Sequence, residues 1–244
     1  MASTPIGGPG HEVHAEPGFL SDFILGSQDG LVNVLGIVLG LAATGQGRFI
    51  IIVAAMAALA AESVSMGAVA YTSTRARRQL YLSERRREEW EMEHVPIMEQ
   101  QEIREILHEW DIEGDELESM LQRIIAKPKM MLDLMMAFEL HLAPVEASQP
   151  GRSASVVFLA TLVGSIIPLL PFLLGVNLSI MDAAIIAVVL SALVLFLVGW
   201  YEARTTIGSM WESGLRMILI GLAAGGAGFL AGYLLNILAP GTAA

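Results

Sequence analysis

Four glutamates near the middle of the chain form two pairs with Glu-x-x-Glu spacing, Glu88 with Glu91 and Glu99 with Glu102. On a helix this spacing places both carboxylates of a pair on one face. Like charges held together are unfavourable unless a cation lies between them, so the pattern predicts a site for a divalent metal. The alternative is a solvated helix face whose charges pair with neighbouring arginines.

A second candidate group contains Met135, Met136 and Glu139, and helical spacing places the carboxylate on the same face as both thioethers. Magnesium and calcium do not use thioether ligands, whereas carboxylates suit ferrous iron and manganese. The mixture therefore favours a first-row transition metal. Methionines at helical spacing also fill hydrophobic cores, and that interpretation stays open.

Two histidines allow a different interpretation. Glu91 with His94 and Glu105 with His108 have the Glu-x-x-His spacing of di-iron carboxylate bundles. A membrane-anchored di-iron ferroxidase is thus an alternative, and a metal-binding sensor is another that the acidic segment permits. His11 and His14 in the amino-terminal tail could also bind metal loosely, and the alternative is a tail without a function.

Carboxylates also occur inside long apolar stretches. Asp29 and Glu62 lie well within two such stretches, where a charged group is costly enough to indicate function. Asn33 and Met66 lie at comparable depth on the same two segments. These four residues predict a polar, thioether-containing path across the inner half of a bilayer. Otherwise Asp29 is an interfacial residue and Glu62 is a buried neutral acid.

The elements that position these residues are predominantly membrane spans. A bilayer core of roughly 30 Å needs about 20 apolar residues in a helix. Five stretches meet or approach this length: 22–44, 49–72, 155–176, 180–201 and 215–238. Tight turns join the first stretch to the second and the third to the fourth, which predicts two helical hairpins.

Eleven of the fourteen Lys and Arg residues lie within 75–152, which indicates that this segment faces the cytosol. The amino terminus is then also cytosolic. The segment carries seventeen acidic residues and should fold as a separate helical subdomain, entered by a helix that continues out of span two. The predicted organisation is an amino-terminal tail at 1–18, two spans at 19–74, a cytosolic metal-binding domain at 75–152 and three spans at 153–240.

Composition excludes several classes of protein. Of 244 residues, 54% are hydrophobic and 16% charged, and the net charge of −11 disfavours nucleic acid as a partner. The absence of cysteine excludes disulfide scaffolds, thiolate metal sites and thiol catalysis. No Gly-Lys dipeptide of a phosphate-binding loop occurs, so ATP is not the expected energy source. We expect no prosthetic group, and metal as a substrate.

Several motifs together resemble the vacuolar iron transporter family. They are Asp29-Gly30-Leu31, Ser65-Met66-Gly67, the paired Glu-x-x-Glu segments and Met135-Met136-x-x-Glu139. The resemblance extends from about Phe19 over nearly the whole chain. It implies an all-α polytopic membrane protein, with five transmembrane helices and a cytoplasmic helical metal-binding subdomain between the second and third.

The resemblance also implies a homodimer that is a secondary transporter and has no catalytic residues. Members of this family move Fe²⁺, and often Mn²⁺, Co²⁺ or Zn²⁺, out of the cytosol in exchange for protons along a path at the dimer interface. Asp29 and Met66 would then line the path. Independently of the resemblance, we expect protonation of Asp29 or Glu62 to reset the site, because a carboxylate binds either a metal ion or a proton. The metal-binding set would be Glu88, Glu91, Glu99, Glu102, Met135, Met136 and Glu139.

Location follows from weaker signals. No transit segment is visible, and Asn33-Val34 stands where plant members carry a proline. We therefore expect a prokaryotic cytoplasmic membrane, with a vacuolar membrane as the alternative.

Overall fold

The computed structural model describes residues 17–175, 177–206 and 208–238. Within them the chain forms eight α-helices and one π-helical turn, and no strand. The helices are α1 Pro17–Ala43, α2 Arg48–His94, α3 Pro96–Glu109, α4 Gly114–Ile125, α5 Pro128–Leu134, α6 Gln149–Leu174, α7 Ile180–Thr205 and α8 Met210–Leu238; the π-helical turn, Met135–Glu139, follows α5 directly. His11, His14 and nearly all of the predicted tail lie outside the described residues.

The prediction of an all-α protein with five membrane spans is confirmed. Five helices, α1, α2, α6, α7 and α8, are long and apolar enough to cross a membrane. α2 has 47 residues, so the helix of the second span does continue into the acidic segment as expected. Pro168 and Pro171 lie inside α6, which starts at Gln149, ahead of the predicted span.

The chain folds as two compact units, residues 72–150 and the remainder. The remainder, which holds the candidate spans, is called the membrane unit. In it α1 occupies a central position, and its buried side chains Val34 and Val38 share one hydrophobic cluster with Leu59 of α2 and Phe172 of α6. Helices in a membrane associate through close packing of small residues, because lipid is as apolar as their side chains. Glycines of α1 and α8 form such a close contact, which is called the glycine seam.

That seam joins two Gly-x-x-x-Gly motifs of the sequence, one on each helix. A Cβ at Gly232 would collide with the carbonyl oxygen of Gly40, and one at Gly228 would collide with that of Gly36. The backbones of α1 and α8 are therefore in direct contact. Such motifs can pack within or between subunits, and for this seam the contact is within one chain.

Arg48 at the start of α2 is the one basic residue in the turn between the first two spans, on the side opposite the expected cytosolic face. Its guanidinium donates to the carbonyl oxygens of Phe172 at 3.2 Å and Gly175 at 2.6 Å, and also to that of Leu178. These carbonyls belong to the end of α6 and the turn after it, where helical partners are lacking. Arg48 thus has a local structural explanation.

The second unit contains the last part of α2 together with α3, α4, α5 and the π-helical turn. Ile103 and Leu107 of α3 pack with Leu121 and Ile124 of α4 and with Met135. An ion pair between Arg104 and Glu118 at 3.0 Å links α3 to α4.

Two details of this unit differ from expectation. The predicted cap Asp115 lies in the first turn of α4, and the N-cap position is Glu113, because the helix already begins at Gly114. The helix predicted from Pro128 to Leu142 changes to π-helical geometry at Met135 and ends at Glu139. His141 has a φ of 53°, a left-handed conformation that cannot continue a helix.

Candidate functional site

The glutamates Glu88, Glu91, Glu99 and Glu102, called the acidic cluster, lie where α2 ends and α3 begins. Val95 ends the first helix by donating its backbone N–H to the Glu91 carbonyl oxygen at 2.8 Å, and Pro96 begins the second. Proline is favoured in the first helical turn because it has no N–H that requires a partner there. This tight connection brings the first glutamate pair, on α2, next to the second pair, on α3.

Three carboxylates converge in this cluster. Glu88, Glu91 and Glu99 each place one oxygen atom within 4.8 Å of the others, a spacing that can hold a metal ion. Glu88 and Glu99 are both only 3% exposed. One oxygen of each has no hydrogen-bond partner among the described residues. Buried carboxylate oxygens without partners are costly, and a bound cation would satisfy them.

The electrostatics of the cluster follow from that burial. Burial raises the pKa of both Glu88 and Glu99 to about 7. Neighbouring carboxylates contribute next: the charge of Glu139 also raises the pKa of Glu88, and the charge of Glu102 that of Glu99. Burial and Glu91 raise the pKa of Glu102 as well. Glu88 and Glu99 are therefore partly protonated near neutral pH, and a divalent cation would displace those protons.

Glu139 belongs electrostatically to the same group. Burial raises its pKa most, followed by the charges of Glu102 and Glu91, while Arg87 lowers it. Arg87 donates to Glu91 at 3.1 Å and is the cation that partly offsets this concentration of negative charge. The five glutamates predicted as ligands thus form one electrostatic group.

Met135 and Met136 are core side chains, 0% and 2% exposed. Met135 packs with α3 and α4, and Met136 packs with Tyr81 and Leu132. Both lie in the π-helical turn that carries Glu139, and such turns are frequent at functional sites. Their burial agrees with the core interpretation, and a ligand role for either sulfur stays a prediction.

The histidines of the predicted Glu-x-x-His pairs do not join the cluster, although Glu91 belongs to it. The His94 ring stacks on Trp90 with centroids 4.3 Å apart, and its Nδ1 lies 2.8 Å from the Trp90 carbonyl oxygen. His108 lies 3.5 Å from Glu113 and is exposed. Among the described residues, no histidine joins the carboxylate group that could hold a metal.

A second polar group lies in the membrane unit, between α1 and α2. The Asn33 amide donates to Asp29 one turn earlier at 3.4 Å, and it also donates to Glu62 of α2. Three of the four predicted path residues are therefore connected. Asn33 is exposed on the surface of the single chain, while Asp29, Glu62 and Met66 are half-buried.

Sequence reasoning missed what positions this polar group. A Cβ at Gly30 would collide with the Thr161 carbonyl oxygen of α6, and a Cβ at Gly67 would lie 3.1 Å from Phe158 of the same helix. Each glycine directly follows a path residue, Asp29 or Met66. α6 therefore packs closely against α1 and α2 beside both path residues. In the sequence, the glycines directly after Asp29 and Met66 were the signal that could have predicted this close packing.

Comparison with known proteins identifies the family. The VIT family matches residues 20–233, most of the chain. The chain belongs to this family. The resemblance drawn from the four motifs is thereby confirmed.

Relatives within the VIT family carry similar names. The chain is 32% identical over 208 residues to vacuolar iron transporter 1 of Arabidopsis thaliana, covering 85% of this chain and 82% of the relative. It is 30% identical to vacuolar iron transporter 1 of Eucalyptus grandis, over 89% of this chain and 87% of the relative. The vacuolar iron transporter of Plasmodium falciparum is 28% identical, over 89% and 82%.

These names bear on location. The relatives are described as vacuolar, so the expectation of a prokaryotic cytoplasmic membrane gains no support from them. The five long apolar helices support a location in a membrane.

Proposed function

We propose that this protein is a secondary transporter that exports Fe²⁺ from the cytosol in exchange for protons. Membership in the VIT family and relatives named as iron transporters support iron as the cargo. Mn²⁺, Co²⁺ and Zn²⁺ are further candidate cargoes, since carboxylates bind all of them.

The observation that carries the proposal is the hydrogen-bonded group of Asp29, Asn33 and Glu62 between two membrane helices. A carboxylate within a membrane span is costly, and two that share one amide donor indicate a cation or proton pathway. Each carboxylate can bind either a metal ion or a proton. Such competition couples the movement of one to the movement of the other.

A homodimer would cover this group. Asn33 is exposed on a face of a membrane unit, where contact with lipid is unfavourable for an amide. Packing against a second copy would remove it from lipid and bring two sets of path residues together. We propose that Asp29, Asn33, Glu62 and Met66 line a path at this interface.

The acidic cluster would supply the metal. In the proposed cycle, Glu88, Glu91 and Glu99 bind cytosolic Fe²⁺ together with Glu102, Glu139 and the two methionines, and release it toward the path. The cytosolic placement of 75–152 rests on its basic residues near the end of a span.

Neither alternative gains support from the geometry. A di-iron ferroxidase needs histidines at the carboxylates, and His94 is held against Trp90 instead. Neither a sensor nor a ferroxidase requires carboxylates inside the membrane.

The direct test is Fe²⁺ uptake into proteoliposomes that contain a metal-sensitive dye, with and without a proton gradient. We expect gradient-dependent uptake in the wild type and none in Asp29→Ala. The control Asp182→Asn alters an acid that bonds Ser179 at the start of α7, and it should transport normally. Undiminished uptake in Asp29→Ala would refute the path assignment.

A further inference from the structure

Three arginines follow the second membrane span within two helical turns. The apolar part of α2 ends near Tyr71, and Arg75, Arg77 and Arg78 continue the same helix. At 1.5 Å per residue, they lie about 6 to 10 Å beyond Tyr71 along the helix axis. The headgroup layer of a bilayer begins at this distance, because it adds roughly 5 to 8 Å to each side of the hydrocarbon core.

These arginines lie far from acidic neighbours on their helix. The stretch 63–83 of α2 contains no Asp or Glu. Arg75 and Arg77 are exposed and Arg78 is half-exposed. Throughout the part of the chain that the structure describes, none of the three side chains makes a hydrogen bond or ion pair to another residue.

Two of the three arginines further along the same helix, Arg85 and Arg87, are paired with acids. Arg85 pairs with Glu89 at 3.2 Å, and Arg87 pairs with Glu91 at 3.1 Å. Arg85 and Arg87 are therefore engaged with carboxylates of their own helix, whereas Arg75, Arg77 and Arg78 are available to an external anion. Orientation in the membrane requires only the number of basic residues, and their free exposure goes beyond that requirement.

We propose that Arg75, Arg77 and Arg78, which point in different directions around α2, each bind phosphate groups of the anionic phospholipids that surround the helix at this level. Guanidinium groups bind phosphate oxygens through two parallel N–H donors, and long arginine side chains reach the headgroup layer from a helix end. The position directly after a span selects a lipid over a soluble anion. The proposal concerns neither the metal cluster nor the transport path, so it stands apart from the proposed function.

The test uses the full-length protein in a zwitterionic detergent, with binding of phosphatidylglycerol and phosphatidylcholine measured by native mass spectrometry. The wild type should retain phosphatidylglycerol preferentially, and the preference should weaken as salt increases. The triple variant Arg75→Gln, Arg77→Gln, Arg78→Gln should lose between about tenfold and about a hundredfold in affinity for phosphatidylglycerol. The triple variant with lysine at the same positions should retain most of the binding.

The chain offers a control with an identical change in charge. Arg123, Lys127 and Lys129 are exposed basic residues of the same unit, further along the chain from the span. Replacing all three with glutamine should leave phosphatidylglycerol binding unchanged. Equal losses in both triple variants would reduce the effect to net charge and overturn the proposal.

Two further outcomes would overturn it without relying on any variant. One is a wild type that binds both lipids equally. The other is displacement of phosphatidylglycerol by millimolar glycerol phosphate, which would identify a site for soluble phosphates instead.

Discussion

The two groups of carboxylates in this protein differ in how their negative charge is balanced. In the acidic cluster, Glu88 and Glu99 are buried, and one oxygen of each lacks a partner in the described structure. In the membrane unit, Asp29 and Glu62 share the amide of Asn33. The first arrangement is suited to capturing a cation, because several carboxylates converge on one point. The second has fewer charges, so a cation would bind it less tightly and leave it more easily.

The largest expected effect is on transport, and it comes from a substitution at Glu62 in the membrane unit. Glu62→Gln keeps a side chain that can bond Asn33 but removes the ionisable group. We expect Fe²⁺ uptake into proteoliposomes to fall by more than about tenfold, consistent with the value of a charge inside a membrane. Fe²⁺ binding by the acidic cluster should not change.

The matched control for Glu62 is Glu212→Gln, an exposed acid in the first turn of α8. It should transport like the wild type. If Glu62→Gln were to transport normally with intact proton dependence, Asp29 alone would carry the coupling.

The next effect concerns the acidic cluster. Replacing both Glu88 and Glu99 with glutamine should weaken Fe²⁺ binding between about tenfold and about a hundredfold, by analogy with the loss of groups that support metal ligands. Isothermal titration of the full-length protein measures this. The paired control, Glu93→Gln with Glu109→Gln, alters one exposed acid on each of the same helices and should bind normally. Unchanged binding in the first variant would remove this cluster as the metal site.

A smaller effect is the dependence of stability on pH. Glu88 and Glu99 have a pKa of about 7 in the folded protein, above the ordinary value of 4.5. Between these values the folded state holds more protons than the unfolded state, so the stability of the metal-free protein should fall as pH rises from about 5 to about 8. Thermal unfolding at a series of pH values measures this. Fe²⁺ should restore stability at the upper end of this range, and the double glutamine variant should show a shallower fall.

The smallest expected effect tests the histidine alternative. His94→Ala removes a ring that stacks on Trp90 and leaves the carboxylates in place. We expect uptake and metal binding within about twofold of the wild type, as for a substitution away from a functional site. Oxygen consumption with Fe²⁺ that disappears in His94→Ala would revive the ferroxidase.

Some of these relations were visible in the sequence because they are local. The Glu-x-x-Glu spacing determines that each pair shares a helix face, and Pro96 marks where the next helix begins. The continuous α2 follows from the absence of Gly and Pro between Arg75 and His94. Local spacing did not reveal the helix type: the segment of Met135 and Glu139 was expected to be α-helical and is π-helical, a geometry in which residues four apart still lie near one face. A change of helix type depends on packing, which spacing does not reveal.

By itself the sequence determined the membrane spans, the helical class and the family, because each depends on hydropathy or on motifs within short stretches. Tertiary structure decided which residues meet. It joins Asn33 to Glu62 across two helices and places Gly30 and Gly67 against α6. It also buries Glu88 and Glu99 and directs His94 toward Trp90. The physical reason is that burial and the resulting shifts in pKa depend on neighbours supplied by other helices, whose approach is set by packing of the whole unit.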